Sequence, residues 1–252
     1  MKNTAAQGRP IVYSLVWGVV LTLVVSVASA VAAIMEFSDM GIRNAQACAY
    51  LVMGIIVTVY MKRKDSSLVS FGFRKLETEP SRAVLFYIPL IIIALAQPLM
   101  NGVNVELGAP DVISIVIMTL LVGYAEEAIF RGVIWNYLRS KGPLYYIVFS
   151  SIVFGVLHMA NAFGGNDIIH TLLQVINALL LGCLLALLIE TGRNIIPLIA
   201  FHFIYDALAM VSNENLEHEV LIVSILNILY LLYGIYLLVI LIRKHRKHSL
   251  TL

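Results

Sequence analysis

Apolar residues fill long runs of the chain, and short polar connections separate them. Eight such runs lie near residues 11–34, 45–61, 83–100, 111–138, 143–161, 168–189, 194–211 and 220–242. The hydrocarbon core of a bilayer is about 30 Å thick, so a crossing helix takes roughly 17–25 apolar residues. Lipid offers no partner to a bare backbone, and runs of this length satisfy their own peptide groups only as helices. The pattern therefore predicts an all-α, polytopic transmembrane helical bundle of about eight spans. The fourth, sixth and seventh runs hold polar residues and give the weaker hydropathy signal. Connections such as Met61-Lys62-Arg63-Lys64-Asp65 and Ser212-Asn213-Glu214-Asn215 read as loops.

Composition adds that the chain is not a soluble domain. Hydrophobic residues make up 60% of its 252 positions and charged residues 13%, where soluble domains carry about 25% charged residues. The placement of charge sets the sidedness. With the N-terminus in the cytoplasm, all but two of the 17 Lys and Arg residues fall on the inner side; Arg43 faces outward and Arg131 lies inside a span. The outer loops hold Glu36, Asp39, Glu106, Asp111, Asp167, Glu214, Glu217 and Glu219. Cytoplasmic loops carry the excess of basic residues in membrane proteins. The expectation is a multi-pass cell-membrane protein with N- and C-termini cytoplasmic, because one helix more or fewer would scramble this separation.

Smaller features refine the picture. The first run is too long for a signal peptide and lacks a small-residue cleavage site, so it is expected to stay as a span. The basic run Arg243 to His248 follows a span directly, and reads as an anchor on anionic lipid rather than a nucleic-acid site. Leu68 to Arg82 mixes Phe71, Phe73 and Leu76 with basic residues, which predicts a short helix on the inner surface. Cys48 and Cys183 lie in apolar runs and point to neither a disulfide framework nor a metal cluster.

Ionisable groups inside a membrane are costly and mark function by default. Glu126, Glu127 and Arg131 lie in the fourth run, His158 in the fifth, and His202 and Asp206 in the seventh. Glu127 and Arg131 are four residues apart, so they share a helix face and can pair. Glu126 is turned about 100° away from Glu127. Two carboxylates and one arginine leave one carboxylate over, which suits a proton acceptor and donor. The pattern thus assigns Glu127–Arg131 as a brace and Glu126 as the working group. His202 and Asp206 are also four apart, so the carboxylate can orient the imidazole. The sixth run holds milder groups, Gln174 and Asn177, which read as interhelical hydrogen bonds, and His170 near its outer end. Each group alone has a purely structural reading; the set on three runs points to a site. The depths of Glu126 and His202 point to substrate access from the cytoplasmic side or laterally from lipid.

The three segments resemble the signature of the CPBP family of intramembrane proteases, which includes CAAX prenyl proteases and bacteriocin-processing (Abi) proteins. Its motifs are E-E-x-x-x-R, F-x-x-x-H and H-x-x-x-N or D, in that order. Here they read Glu126-Glu127-Ala128-Ile129-Phe130-Arg131, Phe154-Gly155-Val156-Leu157-His158 and His202-Phe203-Ile204-Tyr205-Asp206. The match covers roughly 111–211, and eight spans look like the prenyl-protein endopeptidase branch. The resemblance implies three parts: N-terminal helices with a cytoplasmic loop over 1–110, a protease core over 111–211, and a last helix with a basic tail over 212–252. It also implies intramembrane hydrolysis of a peptide bond in a peptide or protein substrate. In that reading Glu126 is the general base, His158 helps hold the attacking water, Glu127 and Arg131 brace the site, and His202 with residue 206 stabilises the oxyanion. Asp at 206 departs from an amide that could donate a hydrogen bond, so it is protonated, orients His202, or binds a metal. Two mechanisms stay open: one without a cofactor, and one with Zn²⁺ held by His158, His202 and Glu126. Two rivals differ in class. A peptide-binding immunity protein would keep the fold without catalysis, and a proton-coupled transporter would show inverted repeats and helices broken at mid-membrane.

Overall fold

The computed structural model describes residues 9–75, 84–160, 168–213 and 216–249, and among them the chain is helical throughout, with no strand. Eight helices follow one another. They are α1 (Pro10–Ile34), α2 (Asp39–Lys64) and α3 (Ile88–Asn101, after a 3-10 turn at Val84–Tyr87). Next come α4 (Ala109–Lys141) and α5 (Pro143–Ala160). The last three are α6 (Ile168–Gly192), α7 (Ile196–Met210) and α8 (Leu216–Ser249). Proline opens α1, α3, α4, α5 and α7 in the first turn, where its missing N–H costs nothing. Ser38 caps α2 by accepting from the Gly41 N–H at 3.3 Å.

Six of these helices are long and apolar enough to cross a membrane; α3 and α7 are shorter. At 1.5 Å per residue, the 15 residues of α7 span only about 22 Å. The weak spans are thus the third and seventh, while the fourth and sixth, despite their polar residues, are full length. Burial ranks the helices: 61% of the apolar window of α4 is buried against 17% in α1. So α4 is the central post, and α1 turns Val16, Leu23 and Val27 outward as a lipid-facing surface would.

Contacts at the helix ends define two faces. On one, Tyr13 of α1 stacks on Tyr137 of α4, Trp135 of α4 donates to Glu190 of α6 at 3.0 Å, and Lys244 of α8 reaches the Thr191 carbonyl. Lys62, Arg63, Lys64, Arg139, Lys141 and Arg193 gather on this basic face. On the opposite, acidic face, Arg43 of α2 pairs with Asp111 of α4 at 2.8 Å. There the α3–α4 connection meets the end of α7, with Asn104 N–H on the Val211 carbonyl at 2.8 Å.

The segment after α2 differs from the expected surface helix. Only Val69–Phe71 forms a 3-10 turn, and Leu68 and Gly72 on either side adopt left-handed backbone, which a helix cannot continue through. Phe71 is buried, and the Gly72 carbonyl accepts from the Ile195 N–H at 2.9 Å. The segment therefore plugs into the bundle instead of lying upon it; Leu76 to Arg82 lie outside the described residues. Asp65 opens it, and hydrogen bonds from the Ser67 hydroxyl and the Ser70 N–H hold its carboxyl below the usual carboxylate range.

Candidate active site

The site grows from a change of pitch in α4. After Glu127 the helix widens into a π-helical stretch over Ala128–Ile134, entirely buried. Such stretches relax the regular hydrogen-bond ladder and recur at functional sites. Here Tyr146 of α5 donates its hydroxyl to the Phe130 carbonyl at 3.2 Å. Arg131 Nη1 donates to Glu127 Oε1 at 3.0 Å and Nη2 to the Gly182 carbonyl of α6 at 3.1 Å. The guanidinium also lies 4.5 Å from the ring centre of Phe154. Both members of the pair have zero exposure, so the ion pair is a structural strut, as the i, i+4 spacing predicts.

Glu127 ties this strut to α7. Its Oε1 also accepts from His202 Nδ1 at 2.9 Å, which fixes the ring and leaves Nε2 pointing away. That Nε2 lies 3.4 Å from Asp206 Oδ2 and 3.9 Å from Glu126 Oε2. Glu126 in turn accepts from the Tyr50 hydroxyl of α2 at 3.1 Å through Oε1. His158 Nδ1 lies 2.7 Å from the Phe154 carbonyl. A carbonyl only accepts, so the proton sits on Nδ1 and Nε2 of the neutral ring is an acceptor. Phe154 stands between the histidines, 4.8 Å from His158 and 6.3 Å from His202 by ring centres.

Glycines let the helices come this close. A Cβ on Gly123 would sit 2.9 Å from the Phe203 nitrogen of α7, and one on Gly155 would sit 2.8 Å from Leu179 Cβ of α6. Small residues at helix interfaces are the usual means of close approach in membranes.

A cavity of about 930 Å³ fronts the cluster. Glu126, His158, His202 and Asp206 line it together with Tyr50, whereas Glu127 and Arg131 do not. All six expected residues thus converge, four on the wall and two behind it. The cavity extends from Glu126 toward the acidic face, not toward the basic face that the depths of Glu126 and His202 had pointed to. Gln174 and Asn177 line it as well, and Asn177 donates to Asn227 of α8 at 3.2 Å, the interhelical bond expected of it. The side chains of His170 and His218 lie outside the described residues. Among the described residues no group of three or more His, Cys, Asp or Glu side chains is placed to hold a metal ion, the set His158, His202 and Glu126 included.

Tyr50, Gly123, Gly155 and Gly182 escaped the sequence reading. Tyr50 is one of 12 tyrosines, and nothing local marks it. The glycines carried a legible signal, since each interrupts an otherwise bulky apolar run.

Residues 108–208 match the family described as Type II CAAX prenyl endopeptidase Rce1-like. The match spans about two-fifths of the chain and holds all three motifs, so the resemblance they carried is borne out over the segment that builds the site. The family is one of proteases acting on peptide substrates. No curated protein and no solved structure matches the chain.

Proposed function

We propose that this protein is an intramembrane endopeptidase in which Glu126 is the general base. The observation that carries the reading is the division between the two adjacent carboxylates. Glu127 is spent on Arg131 and His202 at zero exposure, while Glu126 lies on the cavity wall, where it accepts from the Tyr50 hydroxyl and His202 Nε2 stands 3.9 Å away.

The chemistry needs side chains alone. A water between Glu126 and His158 Nε2 is oriented by both, because each is an acceptor facing the cavity. As its oxygen attacks the scissile carbonyl carbon, its proton passes to Glu126. The carbonyl oxygen gains the charge, and His202 Nε2 donates to it when the ring carries both protons, Nδ1 being held by Glu127. Asp206, 3.4 Å from that Nε2, orients the ring and does not itself donate. Collapse of the tetrahedral adduct breaks the C–N bond, and protonated Glu126 delivers its proton to the leaving nitrogen. One water is consumed, and a carboxylic acid and an amine leave, which become carboxylate and ammonium when the acid's proton passes to the amine.

Glu126→Gln keeps shape and the Tyr50 contact but removes the base. Purified Glu126→Gln should melt like wild type yet cleave a fluorogenic peptide panel about 10²–10⁴-fold more slowly. Equal rates for the two proteins would remove Glu126 from the chemistry, and activity abolished by a chelator would replace the side-chain mechanism with a metal one.

A further inference from the structure

The two faces of the bundle differ in charge, and the cavity belongs to one of them. Lys62, Arg63 and Lys64 end α2, Arg139 and Lys141 end α4, and Arg243 and Lys244 lie in the last turns of α8; all of these ends fall on the basic face. On the acidic face Arg43 is the one Lys or Arg among the described residues, and Asp111 neutralises it at 2.8 Å. Excess basic charge stays in the cytoplasm, and the paired Arg43 weighs nothing against that placement.

Most of the cavity lining comes from the acidic-face halves of the helices, and α4 reaches past its middle with Glu126 and Phe130. Gln46 lies in the third turn of α2, Gln97 and Asn101 in the last turns of α3, Gln174 and Asn177 in the first turns of α6, and Asn213 just past α7. Asn213 lines the cavity and is itself exposed on that face. His158 is two residues from the acidic-face end of α5 and fifteen from its start at Pro143, about 22 Å along the axis. A side-chain amide offers a donor and an acceptor, as a peptide group does. Six of them line the way from that face to Glu126, among them Gln46, Asn177 and Asn213, which also donate to Ser29, Asn227 and the Asn101 carbonyl.

We infer that the site takes an extended peptide segment from the extracytoplasmic side of the membrane along this amide-lined cavity and cuts it at Glu126. The substrate class is then a segment of an exported or membrane-anchored protein lying beyond the outer surface, not a cytoplasmic tail. This rests on the protease reading for the cut and on geometry and charge alone for the side of access.

The side of access is read without catalysis. In a Cys48→Ala, Cys183→Ala background, Gln97→Cys and Asn213→Cys report the cavity and Ser140→Cys reports the basic face. A small, charged, membrane-impermeant thiosulfonate is added to intact cells and to inside-out vesicles; labelling in detergent verifies each thiol, and melting verifies each fold. The cavity thiols should label in intact cells, and Ser140→Cys only in inside-out vesicles. Cavity labelling confined to inside-out vesicles would overturn the inference, as would a Gln97→Cys thiol shut off from both sides. In the second arm, one reporter peptide is tethered to a membrane anchor on either side. Cleavage of the outer reporter, lost in Glu126→Gln, is expected, and cleavage of the inner one alone overturns the inference. No cleavage of either, with outer labelling intact, would sink the protease reading and leave the side of access standing.

Discussion

Behind the cavity wall, Glu127 and Arg131 hold each other at zero exposure and tie in the Gly182 carbonyl and the Nδ1 of His202, whose ring stands on the wall, whereas one residue earlier Glu126 faces an open volume and accepts from the Tyr50 hydroxyl. The two regions share a helix and nearly share a residue. Their difference is a division of labour that a turn of about 100° between neighbours makes available. A buried ion pair contributes position more than stability, since desolvation offsets most of the Coulombic gain. Here what it positions is the imidazole of α7 against the carboxylate of α4. The wall in front can then stay under-coordinated without loosening, because its geometry is fixed from the rear.

Breaking the rear should have the largest effect. Arg131→Met leaves Glu127 charged and buried, which costs about 3–5 kcal/mol and should appear as a large drop in melting temperature with loss of activity. Adding Glu127→Leu removes the stranded charge and should restore much of the melting temperature. Activity should stay lost, because His202 Nδ1 no longer has its carboxylate. If the double variant regains activity along with stability, the rear wall is scaffold only and the comparison collapses.

A smaller effect is expected where the two walls are pressed together. Gly123→Val would put side-chain atoms against the backbone of Phe203, where a Cβ alone already comes within 2.9 Å. Overpacking of this kind costs about 1–3 kcal/mol. It should also shift α7 and with it His202, so cleavage should fall further than the melting temperature suggests. Unchanged cleavage in a destabilised Gly123→Val would mean that the α4–α7 spacing does not set the site.

How much of this was legible follows from range. Helix periodicity and charge placement are local signals, and they carried the all-helical bundle, the eight segments and the Glu127–Arg131 pair. The short α7 and the tucked turn at Phe71 depend on what packs around them. Gly72, in the left-handed region at φ +87°, was the readable warning against a surface helix there. The partition between wall and rear was half visible: spacing placed Arg131 with Glu127, but nothing local could bring Tyr50, 76 residues away, to Glu126. Nor could the sequence place the cavity toward one face, because that depends on which turns of several helices diverge.

Tyr50 offers the finest test of the wall. It comes from α2, outside the segment that matches the protease family. Its hydroxyl is the one hydrogen-bond donor on Glu126 among the described residues, and the ring beside it lines the cavity. Tyr50→Phe keeps the ring and deletes the donor. Glu126 faces the cavity, so water can replace the lost bond, and the melting temperature should hardly move. A carboxylate free to rotate spends less time aimed at the attacking water. The expected result is a fall in kcat of about tenfold, equivalent to ~1.4 kcal/mol of barrier, with KM unchanged because substrate contacts remain. A fall in stability with kcat intact would make Tyr50 a packing residue. A rise in KM alone would move it to substrate binding. A kcat effect alone would make the front wall a positioned site, with its direction set from α2 as its rear is set from α4 and α7.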